Sequence, residues 1–193
     1  MFEFIQGKLF KLTPAYAVLE NAGIGYFINI SLHTFPGLQG KADCLLYVHE
    51  VIREDSHTLF GFQTETEREM FRHLISVSGI GPNTGRMILS SMSPNEVKTA
   101  ILSGNVDQIK SVKGIGAKTA QRLIIDLKDK VGKADEQFEF FTEGNNTIRE
   151  EALSALIMLG FAKSAVEKVI GKIGKQESDL TVEQLIKKAL KQL

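Results

Sequence analysis

The sequence predicts an α+β protein of several domains: a small N-terminal β-barrel, a central all-helical region and a C-terminal group of three helices. Three observations predict it. Residues 1–62 break into short β-branched and aromatic runs. The hydrophobic period becomes helical from Thr64. An acidic stretch of different composition, 133–146, then precedes the last helical segment. A chain of 193 residues suits one large domain or two or three small ones.

Within 1–62 the strand candidates are "GKLFKL", "YAVLEN", "GYFINISL", "CLLYVHEVI" and "HTLFGF", separated by Gly, Pro and Asn. Five short strands without a long helix predict a closed barrel of the OB type. Cys44, the only cysteine, lies in an apolar run and suits a buried thiol.

The stretch "TETEREMFRHLISV" opens a helix with Thr64 or Thr66 as N-cap and acids in the first turn. Ser93-Pro94-Asn95-Glu96 starts another, with Glu96 in capping-box position and Gly104 as its close. Asn105 or Asp107 starts "DQIKSV", and "AKTAQRLIIDLKDKV" is strongly amphipathic. Residues 64–132 are therefore expected to be all-helical. The stretch 133–146, "KADEQFEFFTEGNN", has no sustained period and is expected to be a flexible acidic linker. Thr147 is expected to cap the next helix, with Glu150 completing a capping box. The expected core of 147–193 is Leu153, Leu156, Ile157, Leu159, Phe161, Val166, Val169, Ile170, Leu185, Ile186 and Leu190.

Composition narrows the class. Hydrophobic residues make up 43% and charged residues 24%, as in globular proteins. No run reaches the roughly 18 apolar residues of a membrane span. The N-terminus "MFEFIQGK" lacks a basic region followed by an apolar core, so a cytoplasmic location is expected. Net charge is zero but uneven. Residues 1–64 hold 4 basic and 6 acidic residues, 65–132 hold 10 and 7, 133–146 hold 1 and 4, and 147–193 hold 8 and 6. The central region is the most basic, which points toward a polyanion.

That region also contains a repeat. "SGIGPNTGRMI" (78–88) returns 35 residues later as "KGIGAKTAQRL" (113–123). Gly79, Ile80, Gly81 and Thr84 align with Gly114, Ile115, Gly116 and Thr119. In each copy a helix leads in, glycines turn the chain, and another helix leads out. Glycine allows the reversal. The outgoing helix then presents free N–H groups and the positive end of its dipole, which suit an anion. Ile80 and Ile115 can point inward and pin the turns. Lys118 and Arg122, four apart, share one face of the outgoing helix and can flank a phosphate, with Lys110 and Lys113 adding attraction.

Other meanings of these glycines remain open. A dinucleotide fingerprint needs a third glycine after a strand, where this chain has Thr84 or Thr119. A phosphate-binding Walker A loop needs glycine before lysine, where this chain has Ala117. A plain turn between helices needs no ligand. Gly23-Ile24-Gly25 provides a contrast, since it runs into a strand and offers no helix amides. Paired helix–hairpin–helix units at this spacing can hold successive phosphates of one strand without reading bases.

From "GKL", "VIREDSHTLFGF", both hairpins, "AQRLIIDLKDK", the acidic linker and "EALSALIMLGF", the chain resembles, over its whole length, the RuvA family of bacterial Holliday-junction proteins. The resemblance implies an OB-like barrel, a tandem helix–hairpin–helix domain and a mobile, UBA-like three-helix domain. It implies four subunits, sometimes eight, holding a four-way junction open and planar during recombination and repair after DNA damage. It implies a hexameric RuvB ATPase partner that uses ATP and Mg²⁺, and a junction resolvase as a further candidate partner. Glu54 and Asp55, which otherwise suit a solvated turn or a metal site, map onto the family's acidic pin. Four copies would set about eight carboxylates around the junction centre, repelling backbone phosphates. The edge formed by Leu156, Leu159, Gly160 and Phe161 is the implied motor contact, although core is the simpler role for each apolar residue.

Two departures stand out. The family commonly has lysine after the Gly-x-Gly-Pro of the first hairpin, where this chain has Asn83. Gly85 replaces a small helix former. The second hairpin is therefore expected to be the stronger phosphate grip, with Gly79, Ile80, Gly81, Asn83 and Thr84 relying on backbone amides. No catalytic residue, bound cofactor or metal is expected. His33, His49, His57 and His73 lack metal-ligand spacing, and no ATP-binding loop is present. The competing class is a structure-specific nuclease, which would need clustered carboxylates around one or two metals.

Overall fold

A computed structural model describes residues 2–139, 144–176 and 180–193, with side chains described outside 133–147, 150 and 175–179. The chain divides into two compact units, Met1–Gly132 and Lys133–Leu193.

The first unit begins with five strands: β1 (Phe4–Leu12), β2 (Tyr16–Asn21), β3 (Ile24–Ile30), β4 (Asp43–Ile52) and β5 (His57–Phe62). They close a barrel in the order β1-β2-β3-β5-β4, with only β3–β5 parallel. The two-residue period directs alternate side chains inward. Ala17 and Leu19, Ile28 and Ile30, and Cys44, Leu46 and Val48 fill the interior with Ile5 and Leu38. Burial raises the Cys44 thiol above its ordinary pKa. At Gly23-Ile24-Gly25 the chain makes a tight β2–β3 turn through Ala22 (φ 51°) and Gly23 (φ 81°), and no helix follows.

Five helices follow: α1 (Glu65–Ile75), α2 (Pro82–Ser91), α3 (Pro94–Ser103), α4 (Val106–Lys110) and α5 (Ala117–Glu139). Thr64 is the N-cap of α1, accepting from the Glu67 amide. Ser93 and Glu96 form the capping box of α3, and Gly104 ends it in the left-handed region. Asn105 caps α4. The helices enclose a second core, to which β5 contributes Phe60 and Phe62. Both rings lie against Phe71, with centroids at 5.2 and 4.8 Å. The two stretches separated at Thr64 in sequence thus pack as one unit. A buried polar joint reinforces them. The Ser31 and Thr34 hydroxyls donate to the buried Glu67 carboxylate at 2.5 and 2.7 Å. Buried Arg68 donates to the Glu3 carbonyl at 2.9 Å and lies over the Tyr47 ring.

Gly85 has a packing role that its low helix propensity hides. It is buried, and a Cβ there would meet Ile75 Cγ2 at 3.0 Å and Phe71 at 3.3 Å. The glycine lets α2 approach α1 closely.

The second unit contains α6 (Gly144–Met158), α7 (Lys163–Gln176) and α8 (Val182–Leu190). Helical backbone enters the expected linker from both sides, since α5 continues to Glu139 and α6 starts at Gly144. Lys, Ala, Asp, Glu and Gln after Gly132 include good helix formers, so α5 propagates beyond its apolar face. Thr147 consequently lies inside α6 rather than at its cap. The side-chain contacts of Thr147 and Glu150 lie outside the described residues, as do Phe138, Phe140 and Phe141 of the linker. The core uses Ala152, Leu156, Val166, Ile170, Ile173, Leu185 and Ala189, with Leu153, Phe161, Val169 and Ile186 partly buried. Ile157, Leu159 and Leu190 are exposed, contrary to their expected core role. The small residues Ala152 and Ala189 are fully buried in that core instead. No helix among the described residues is long and apolar enough to cross a membrane.

Candidate nucleic-acid interface

The two repeated turns are superimposable in their bonding. In the first, the Val77 amide donates to Leu74 at 3.2 Å and the Ile80 amide to Val77 at 3.0 Å. In the second, Val112 donates to Ile109 at 3.2 Å and Ile115 to Val112 at 3.1 Å. Gly79 and Gly114 take φ +93° and +92°, a conformation that side chains disfavour. Ile80 and Ile115 are buried and anchor both turns in the helical core. The outgoing helices close alike, with Gly85 N–H donating to Gly81 at 2.9 Å and Ala120 N–H to Gly116 at 3.0 Å.

The second glycine of each pair is different. Gly81 has φ −83°, which any residue can adopt, and Gly116 does not fall in the left-handed region. A Cβ on either would meet nothing within 4 Å. Neither backbone strain nor internal packing requires glycine there. A bare backbone at that point suits close approach by something outside the chain, beside amides with no helical partner.

Side chains distinguish the copies. Lys113, Lys118 and Arg122 are exposed and make no hydrogen bond or ion pair among the described residues. Lys110 is exposed and lies 3.4 Å from Asp107. Thr119 and Thr84 are half-buried. At the same offsets the first hairpin has Ile75, Ser78, Asn83 and Met87 in place of Lys110, Lys113, Lys118 and Arg122. Pro82 also removes one N–H from the start of α2. The first turn therefore offers fewer free amides and no cation at these positions.

Sequence reasoning missed the one cation of α2, Arg86. Its guanidinium donates to the Ala15 carbonyl at 3.0 Å and to Asn29 Oδ1 at 3.1 Å, both on the barrel. Burial pulls it below its ordinary pKa. Ser90, one turn on, accepts from the Leu32 amide at 3.1 Å. Nothing in the local sequence separates such an arginine from a solvated one.

Glu54 and Asp55 are exposed at the tip of the β4–β5 connection, which Arg53 N–H closes by donating to Ser56 at 2.8 Å. His57 pairs with Glu50 at the base of the same hairpin. In the second unit, Gly160 (φ +98°) turns the chain out of α6. Leu159 and Met158 are 62% and 87% exposed, so they form an apolar surface edge with half-buried Phe161. Leu156 is fully buried and offers that edge no surface.

Comparisons with known proteins match these parts. Residues 1–61 match the RuvA N-terminal domain, 71–129 the SAM-like helix-hairpin-helix tandem, and 147–193 the RuvA C-terminal domain. A protein of Christiangramia forsetii is 53% identical over 193 residues, covering all of both chains. One of Flavobacterium psychrophilum is 50% identical over 194 residues, and one of Bacteroides fragilis 48% over 202, again covering both chains fully. Each relative is named Holliday junction branch migration complex subunit RuvA.

Proposed function

The chain belongs to the RuvA family, and from that premise we propose that it is the DNA-binding subunit of a Holliday junction branch migration complex. The observation that carries the reading is the duplicated hairpin, with exposed backbone at Gly81 and Gly116 and unpaired cations around the second copy. Amides at the starts of α2 and α5, with Lys118 and Arg122, hold phosphates of a duplex arm. Lys110 and Lys113 add attraction. None of these contacts reads a base, so binding follows structure rather than sequence.

Four copies, or eight as two facing tetramers, surround the junction and keep it planar. Glu54 and Asp55 sit at its centre, where their charge repels phosphates and disfavours uninterrupted duplex. The chain carries no catalytic site and no cofactor. A separate hexameric ATPase uses ATP and Mg²⁺ to move the arms, and contacts the Leu159–Phe161 edge of the second unit. A junction resolvase acts on the same complex, in the cytoplasm. No observation favours the nuclease reading.

A mobility-shift titration on a synthetic four-way junction tests this, with Mg²⁺ present, ATP absent and excess linear duplex as competitor. Discrete retarded bands that survive the competitor, with DNA uncut, are expected. Equal loss to duplex would reduce the chain to a generic duplex binder, and cut DNA would make it a nuclease. Glu54→Gln with Asp55→Asn should tighten binding to plain duplex; an unaltered junction preference would refute the role of the acidic tip.

A further inference from the structure

We infer that Arg86 and Asn29 form a strut that fixes the first hairpin relative to the acidic β4–β5 loop, making them positioning residues for junction recognition; this rests on the proposed function. Arg86 is the only charged residue of α2, and it lies one turn after the helix start that follows Gly81. A cation at that place could serve a phosphate. Instead its guanidinium is spent on the barrel, at Ala15 and Asn29 Oδ1. The other end of the Asn29 amide continues the connection, with Nδ2 donating to the Leu59 carbonyl at 3.2 Å. Leu59 lies on β5, which begins at His57 just beyond the Glu54–Asp55 tip. Asn29 is also the register partner of Phe60 across the parallel β3–β5 pair.

One side chain thus joins the helix that starts at the first phosphate site to the strand that leaves the acidic loop. The corresponding position of the second hairpin is Gln121, which is exposed, so the device belongs to the first copy alone. A protein that distinguishes a junction from plain duplex must hold its arm grips at a set distance from its centre. The weakly charged hairpin is the one tied to the centre, and the strongly charged one carries the attraction.

The test measures junction and duplex binding over a range of salt for the full-length chain, Arg86→Gln, Asn29→Ala and the double variant, with Arg86→Lys as a milder probe of the same bonds. Each single variant should lower the junction-to-duplex preference on the order of tenfold. The double should lose no more than Arg86→Gln alone, which already breaks the bond to Asn29 along with the bond to Ala15. The salt slope should not move, since no phosphate contact is lost. A reduced slope with Arg86→Gln, with junction and duplex weakened equally, would make Arg86 a phosphate ligand and overturn the inference. So would a tightening by Asn29→Ala, which removes one of the guanidinium's two barrel bonds, or an unchanged preference in variants that melt like the parent chain. Absence of junction preference in the parent chain would instead refute the proposed function.

Discussion

Val77–Ile88 and Val112–Leu123 make the same turn with the same backbone bonds, and both bury an isoleucine between glycines. They differ around it. The second hairpin is ringed by Lys110, Lys113, Lys118 and Arg122, whereas the first has Ile75, Ser78, Asn83 and Met87 and sends its nearby arginine into the barrel. The shared backbone keeps one shape while the surrounding side chains differ, and the proposed roles follow that difference: the second copy would attract and the first would set position.

The largest expected effect treats the copies alike. Ile80→Ala and Ile115→Ala should each cost about 2–5 kcal/mol of stability, as core truncations do. Chemical denaturation would measure this, and a much smaller loss at one site would break the equivalence of the two pins.

The glycines should separate folding from binding. Gly79→Ala and Gly114→Ala force a side chain into φ near +90° and should cost roughly 1–2 kcal/mol. Gly81→Ala and Gly116→Ala should cost less, at most about 1 kcal/mol from the preference for glycine over alanine at a helix N-cap, because the added methyl meets nothing in the chain. They should nevertheless weaken DNA binding several-fold by holding a phosphate off the amides. Unchanged binding would remove the reason given for glycine at both places.

The smallest expected effect is acid sensitivity, confined to the first hairpin's support. His49 lies edge-on to Phe71 of α1, with ring centroids 5.5 Å apart. Burial, then Arg72 and Arg68, hold it below its ordinary pKa of 6.5, against the weaker pull of Glu69 and Glu50. His73 on α1 is lowered as well, mainly by burial. An unfolded chain binds these protons more readily. The full contribution to stability is thus present above about pH 6.5 and is lost as pH falls through that value toward the folded pKa. Hydrogen exchange at pH 7.5 and 5.5 should show loosening around α1, which carries His73 and packs against His49 of β4, and around the first hairpin that follows α1. Equal loosening of the second would contradict this.

Much of the architecture was legible in the sequence because its signals are local. Thr64, Ser93 with Glu96, and Gly104 fix helix ends by bonds spanning a few residues, and the two-residue period marks the barrel interior. The paired Gly-Ile-Gly turns were legible for the same reason. What escaped was set by distant contacts or by spare propensity. Arg86 meets a partner 71 positions away, and Glu67 one 36 away, with nothing local to announce either. Gly85 looks like a weak helix residue until Ile75 and Phe71 are seen against it. Leu159 has the composition of core and lies outside, because Gly160 ends α6 beside it. The helical backbone of 133–139 extends past the last apolar position that periodicity can detect.

The division of labour between the hairpins is tested most directly by the salt dependence of binding to a four-way junction. The parent chain is compared with Lys118→Ala plus Arg122→Ala, and with Asn83→Ala plus Met87→Ala. Each released phosphate contact contributes about 0.9 to the slope of log K against log salt per subunit engaged. The second-hairpin pair should reduce the slope by about 2 per subunit and weaken junction and duplex alike, while the first-hairpin pair leaves the slope where it was. Equal slopes for all three proteins, or a fall confined to the first-hairpin pair, would contradict the account.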